Sequence, residues 1–434
     1  MMKHKIIIIL LFIGISGLAY SQAEELSLQN AVEIALEKNY SIIMSQKNVE
    51  ISEANNAWAN TGVIPTVSFV GSGSASNNFN DNDNFSQTNL NGTVNVNWII
   101  FRGFSARIQK DKLEEYENMS DANLAIMVEN TIQNVISAYY GVLLAQEKFE
   151  ISESNMNLSY DRYQRELQKK EIGTTVTYDL LQSKNAYLSD TADYMMSESS
   201  YRNSVRQLNY LMSVPVNQEY VFTTNFESEQ TDFVYDDLLA KMKLNNTTLQ
   251  NQYINLELSK LNVQSAKSAY YPTVSAGVSS GYQNSEMDYS TMDAMDNTNS
   301  AFSTSANIAI SYDIYKGGSR KIAVDVAKIE NEISDIKFMD LEQSLENQLA
   351  QEFELYNVRK ELLFLAEENL KAAELNLKLS KMKFESGVIS SFNYRDVQTM
   401  HLNTALNYQN AVYNLIQSYY TLMRLTGGIV EDFN

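Results

Sequence analysis

Two stretches of this 434-residue chain alternate strictly between apolar and polar side chains. In Thr88–Gly103 the even positions carry Leu90, Gly92, Val94, Val96, Trp98 and Ile100, and the odd ones Asn89, Asn91, Thr93, Asn95 and Asn97. Phe302–Ile314 does the same, with Phe302, Ala306, Ile308, Ile310, Tyr312 and Ile314 set against Ser303, Ser305, Asn307, Ser311 and Asp313. A period of two is that of a β-strand with one apolar face. Pro65–Gly73 and Pro272–Tyr282 alternate more weakly, through Val67 and Phe69 and through Val274, Ala276, Val278 and Tyr282. The intervening Asn77–Gln87 and Asn284–Asn299 are rich in Asn, Asp and Ser and are expected as exposed hairpin tips. Alternation over ~10 residues with aromatics toward the ends is what a transmembrane strand requires. A soluble sheet with one wet face gives the same pattern for a single hairpin. Trp98 and Tyr312 serve as membrane-interface anchors in the first case and as core residues in the second.

A period of 3.5 governs the long stretches that follow the hairpins. Val128, Ile132, Val135, Tyr139, Val142, Phe149, Met156, Tyr160, Tyr163 and Leu167 step by three, four or seven residues. Leu345, Leu349, Tyr356, Leu363, Ala366, Leu370, Ala373, Leu377 and Phe384 do likewise. The pattern predicts helices over Ser105–Glu171 and Ser319–Glu385, each ~100 Å long. A 3.5-residue seam implies left-handed coiled-coil packing. Aromatic and Met side chains on these seams read as packing. Shorter helices are expected over Leu26–Thr61 and Thr175–Ser213, whose lengths together approach that of one long helix.

The chain is written twice. Gly173 and Gly387 lie 214 residues apart, and the same offset relates Phe101-Arg102-Gly103 to Tyr315-Lys316-Gly317. Val63–Ser68 matches Tyr270–Ser275 at an offset of 207, so seven residues are inserted between Pro272 and Gly317. Residues 23–215 are expected as the first repeat and 234–427 as the second. Residues 216–233 form the connection and 428–434 a short C-terminal tail.

Composition narrows the class. Pro occurs three times and Gly sixteen, so long helices meet few breakers. There is no Cys, which excludes disulfides, thiol nucleophiles and Cys-based metal sites. His occurs only at His4 and His401, the latter read as structural. No nucleophile–base pair, phosphate-cradling loop or metal cluster is present, so an enzyme, a cofactor and a metal site are not expected. A net charge of −20 argues against nucleic acid and anionic lipid as partners. Lys3 and Lys5 before the apolar run Ile6–Ile13 mark residues 1–22 as a secretory signal peptide, with cleavage near Ser21 or Ala23. No later run is long and apolar enough for a transmembrane helix.

Four strands cannot close a barrel, and open sheet edges are not tolerated in hydrocarbon. Several copies must therefore share one barrel. Two copies give eight strands and a filled interior, whereas three give twelve and an aqueous lumen. The expected class is an α+β membrane protein with four transmembrane β-strands per chain, a β-barrel shared between copies and a long α-helical coiled-coil barrel. A non-transporting coiled-coil scaffold is the competing reading, but it has no use for two hairpins with an apolar face. With no nucleotide site, a conduit must take its energy from an inner-membrane partner. Asp179 and Asp396, just past the two Gly turns, are either acids favoured by the helix dipole or pore-lining charges.

In this ordered, duplicated layout the chain resembles the TolC-like outer-membrane efflux proteins from about Leu26 to Gly427. The resemblance rests on Pro65 and Pro272 opening the hairpins, on the strand exits Phe101-Arg102-Gly103 and Tyr315-Lys316-Gly317-Gly318, and on the turns Gly173–Leu181 and Gly387–Val397. It implies a homotrimer in the outer membrane, a twelve-stranded barrel and a periplasmic helical barrel. It further implies an exit duct served by a periplasmic adaptor and an inner-membrane pump of resistance–nodulation–division or ABC type. Cargo is open at this point, because small-molecule efflux and type I protein secretion use similar ducts. Acids that ring the closed entrance in the family fall on Asn393 and Asp396, with Asp179 keeping the acid of the first tip. The family's latching tyrosine aligns to Phe384, which has no hydroxyl. Adaptor docking at the tips points to Gly173 and Gly387.

Overall fold

The computed structural model describes residues 24–79, 84–228, 230–289, 297–430 and 433. The signal peptide expected over 1–22, the proposed cleavage positions Ser21 and Ala23, and the centres of both hairpin tips lie outside the described residues. In chain order the elements are β1 (Glu24–Leu26), α1 (Leu28–Lys38), α2 (Tyr40–Asn55), β2 (Thr66–Phe79), β3 (Asn84–Arg102), α3 (Ser105–Glu171) and α4 (Thr177–Leu211). There follow β4 (Tyr220–Phe222), α5 (Tyr235–Asn245), α6 (Thr247–Ser268), β5 (Thr273–Tyr289), β6 (Asn297–Ser311), α7 (Ser319–Glu385) and α8 (Ser391–Leu425). Both long helices have 67 residues, over the bounds that the heptad pattern predicts.

The four long strands form one antiparallel sheet in the order β2-β3-β5-β6. They run further than the alternation indicates, through polar residues expected as loop: β2 reaches Phe79, β3 begins at Asn84, β5 reaches Tyr289 and β6 begins at Asn297. Cross-strand backbone pairing sustains these segments where the side-chain pattern has faded. At its other end β6 stops at Ser311, short of the expected Ile314. The register shifts between Ile99 and Phe101. The expected facing of Ile100 therefore changes: the bulge leaves it unpaired and sets Phe101 opposite Val274 on the apolar face.

One expectation for the short helices needs correction. Leu26–Thr61 is not one helix: Leu26 belongs to β1, the helix breaks at Asn39, and Trp58–Thr61 forms a 3-10 turn. Asn39 accounts for the break. Its side-chain carbonyl accepts the N–H groups of Ser41 (2.8 Å) and Ile42 (3.3 Å), capping α2, while its amide donates to the Leu211 carbonyl at the end of α4 (2.8 Å). Asn246 does the same between α5 and α6, accepting from Leu249 N–H (3.0 Å) and donating to the Leu425 carbonyl of α8 (3.0 Å). Within the connection 216–233, β4 pairs in parallel with β1.

The core lies about midway along α3. There Ile132, Val135, Ile136, Tyr139 and Val142 pack with Leu26, Val32, Leu208, Met212, Met242, Leu349, Leu415 and Leu422. Two buried tyrosines tie the 216–233 connection to it. The Tyr139 hydroxyl donates to the Leu26 carbonyl (2.8 Å) and lies 3.0 Å from the Thr224 hydroxyl. The Tyr356 hydroxyl donates to the Thr231 carbonyl (2.8 Å) and accepts its N–H (3.1 Å).

Each Asn thus fastens two helix ends with one side chain. Asn246→Ala, which removes a helix cap and leaves the Leu425 carbonyl without its partner, should cost about 2 kcal/mol. Thermal unfolding in detergent checks this, with the exposed Gln29→Ala as a control expected within about 0.5 kcal/mol of the parent.

Candidate functional site

Register sorts the sheet's side chains into two faces. Val67, Val96, Val278 and Ala306 stand in one row across all four strands. Beside it on the same face, Trp98, Ala276 and Ile308 form a second row, and Tyr282 pairs with Phe302. The opposite face carries the row Ser68, Asn95, Ser279 and Ser305, and the row Thr66, Asn97, Gly277 and Asn307. Hydroxyls bridge strands directly, as between Ser279 and Ser305 (2.8 Å). Among the described residues of the strands, the only charge on this polar face is Arg102 at its helical end. Among the described residues neither face is covered, and every residue of β2 and β6 is exposed. Trp98 is partly exposed, and its indole N–H donates to the Val63 carbonyl (2.7 Å). Tyr312 is exposed beneath the Arg320 guanidinium, 5.4 Å from the ring centre.

The far ends of α3 and α7 turn through Gly173 and Gly387, which adopt left-handed φ values of 76° and 74°. Such φ values favour Gly, and they let Thr174 N–H reach the Lys169 carbonyl and Val388 N–H reach that of Lys383, both at 2.8 Å. Asp179 falls in the first turn of α4, a position where the helix dipole favours an acid. Asn393 stands at the equivalent place in α8, and its N–H donates to the capping Ser390 hydroxyl (3.2 Å). Asp396 lies one turn further along α8 and is exposed, as is Asn393. Phe384 is not beside these polar groups. It is buried within the chain, stacked on Tyr394 at 4.8 Å, with the Lys169 ammonium 5.1 Å from its ring centre.

A buried ionic cluster above the tip escaped the sequence reading. Below the core, the apolar seam of α3 turns toward α4, where Tyr163 stacks on Tyr187 and Phe149 on Tyr194. Tyr160, expected on the buried seam, is 43% exposed. The buried stripe of α3 here is instead Asn155, Ser159, Arg162 and Glu166. Arg395 of α8 grips the buried Asp190 of α4 with two bonds of 2.6 and 2.7 Å. Glu166 accepts from Lys169 (2.8 Å) and from the Thr175 hydroxyl (2.9 Å). Burial, and then repulsion from Arg395, push the Arg162 guanidinium down to about 10, against the pull of Asp190, Tyr394 and Glu166. It stays cationic at neutral pH. Removing one partner of a buried pair of this kind typically costs roughly 3–5 kcal/mol. The four-three-four spacing of the polar stripe was the available signal, but it also describes a solvated helix face.

Comparison with known proteins places this geometry. The family model described as outer membrane efflux protein matches residues 31–213 and 238–428. The toluene efflux pump outer membrane protein TtgC of Pseudomonas putida is 20% identical over 382 residues, spanning 86% of this chain and 77% of its own length. The outer membrane protein TolC of Vibrio cholerae is 22% identical over 185 residues, 42% of each chain. Among solved structures, the CmeC outer membrane channel of Campylobacter jejuni superposes with a TM-score of 0.75 at 16% identity, covering 92% of this chain and 85% of that one. The open-state MtrE channel of Neisseria gonorrhoeae gives 0.71 at 17% identity, covering 94% and 90%. These likenesses give the same mostly helical fold with its strands. The family model accounts for most of the chain, which belongs to the outer membrane efflux protein family: a non-enzymatic transport conduit of the outer membrane.

Proposed function

We propose that three copies of this chain assemble into the exit duct of a tripartite efflux system, their hairpins closing one twelve-stranded barrel. The carrying observation is the sheet: four long strands, one apolar face, no covering layer and two unpaired edges. In hydrocarbon both edges must find partners. Identical copies supply them when β6 of one meets β2 of the next. The apolar face then meets lipid, and the Ser, Thr and Asn face lines water. The helices support the same association. On α7, Ile322, Val326, Ile329, Ile333 and Ile336 form an exposed stripe at three- and four-residue spacing. The helical barrel extends into the periplasm, and the Gly173 and Gly387 turns meet an adaptor protein that joins the duct to an inner-membrane pump. The naming of TtgC for toluene efflux supports a small-molecule cargo over a secreted protein.

Detergent-solubilised protein should cross-link to three chains and form channels in planar bilayers, and a stable monomer in membranes would contradict the reading. Facing gives a sharper test. Val96→Arg, near mid-strand on the lipid side, should destabilise the barrel by roughly 2–4 kcal/mol. Asn95→Arg, on the lumen side, should leave folding intact. Equal damage from both would refute the assignment.

The entrance is proposed to narrow where three copies of Asp396 converge, with Asp179 nearby. Like charges in a constriction attract cations. The channel should prefer cations and be blocked by divalent ones from the periplasmic side. Asp396→Ala should weaken both effects in bilayer recordings, whereas Leu363→Ala should change stability and leave selectivity alone. Phe384, packed against Tyr394, holds the closed tip through ring stacking instead of a hydroxyl. If Asp396→Ala leaves selectivity and block unchanged, Asp396 is a surface acid of α8.

A further inference from the structure

The strand–helix junction inverts the charge of the chain. The whole sequence has 33 Lys and Arg against 53 Asp and Glu. Of the four segments that leave or enter the sheet at its helical end, residues 56–65 hold no charge, and residues 102–112, 264–273 and 313–321 together hold eight basic residues against two acids, Asp111 and Asp313. Arg107, Lys267, Lys316 and Lys321 are exposed. A net charge read over the whole chain hides this belt.

Aromatic rings border the belt on the sheet's apolar face. Phe101, turned onto that face by the bulge, packs edge-on against Phe104 (5.2 Å), and Phe104 packs against Tyr271 (5.7 Å). Phe104 caps α3 in a left-handed conformation, φ 63°, where the start of α7 has Gly318. That conformation costs a non-glycine residue roughly 1–2 kcal/mol, yet Phe104 remains 59% exposed. Packing within the chain does not account for a strained, mostly exposed Phe; an apolar phase beside it does. Arg320 lies over the ring of Tyr312, next to the same face, and Asp313 lies within 4 Å of both Arg320 and Lys316. Rings at the edge of an apolar band, followed within one helical turn by cations, match the layering of a bilayer, where acyl chains give way to headgroup phosphates.

From this we infer that the junction binds anionic phospholipid headgroups of the membrane leaflet on the helical side, with Arg107, Lys316, Arg320 and Lys321 meeting the phosphates while Phe104, Tyr271 and Tyr312 sit at the acyl boundary. The inference rests on the reading of this chain as an outer-membrane duct. It adds a lipid preference that the duct itself does not need. Each cation near an anionic surface strengthens binding several-fold, and salt screens the effect.

Native mass spectrometry of the detergent-purified assembly, given phosphatidylglycerol or phosphatidylcholine with the same acyl chains, tests this. The parent should retain phosphatidylglycerol preferentially at low salt. In Arg107→Gln/Lys316→Gln/Lys321→Gln, which alters only exposed side chains, the preference should fall roughly tenfold or more. High salt should reduce it likewise. Equal retention of the two lipids by the parent overturns the inference, as does a preference that survives the triple substitution. Full competition by inorganic phosphate assigns the belt to free anions and overturns the lipid. Conductance of the same preparations separates the two readings. Assemblies that conduct without lipid preference overturn the belt alone, whereas preparations that form no channels overturn the duct.

Discussion

An unpaired backbone amide has no place in hydrocarbon, and this one constraint organises the chain. The β2-β3-β5-β6 sheet ends in two edge strands, with an apolar face that no layer covers among the described residues. A single copy has no means of satisfying either requirement. In the proposed trimer each copy supplies one third of a closed ring of hydrogen bonds, four strands of twelve. The helices obey a related rule at larger scale. Their mid-length apolar seams close on each other, and on α7 an open apolar stripe runs from Ile322 to Met339.

Between sheet and tip, the mid-length core fixes the geometry of both. Tyr139 and Tyr356 each reach out of a long helix to hold the backbone of the 216–233 connection or of β1. Asn39 and Asn246 each join a helix start to a distant helix end. These contacts are few, buried and polar, and they set where the short helices begin and end along their long neighbours. With the helix ends fixed there, the sheet and the tip are held apart at a distance set by the uninterrupted length of α3 and α7.

Much of this was legible because it depends on local periodicity. Val94 and Val96 alternate with Asn95 and Asn97, so the strand face can be read without knowing the partner. The heptad steps from Ile132 to Val142 likewise mark the core-facing side of α3. What escaped depends on residues far apart in the chain. Asn39 sits in a helix-favouring run, and its local cap on α2 is joined by a bond to the Leu211 carbonyl, 172 residues away, that no local pattern reveals. Asp190 and Arg395 are separated by 205 residues, and each alone looks like a solvated charge. The bulge at Ile99–Phe101 is a backbone event with no side-chain signature. At the tip, glycine spacing places the turns, but Phe384 turns inward onto Tyr394 and away from Asn393 and Asp396, which alignment alone does not reveal.

The ionic seam around Arg162, Glu166, Asp190 and Arg395 also affects how the lower helices respond to temperature. The heat-capacity change of a structural transition follows the apolar area it uncovers, and polar area enters with the opposite sign. Two coils parting along a seam of guanidinium, carboxylate, amide and hydroxyl groups would uncover little apolar surface. Their separation would therefore carry a small heat-capacity change, with an equilibrium that drifts slowly and nearly linearly on warming. The mid-length core, built from Leu, Val and aromatic side chains, would follow the strongly curved stability profile of an ordinary globular interior. One long helix, α3, meets both regimes: its lower half keeps an aromatic seam with α4, through Phe149 and Tyr163, so only parting along the ionic seam escapes that curvature.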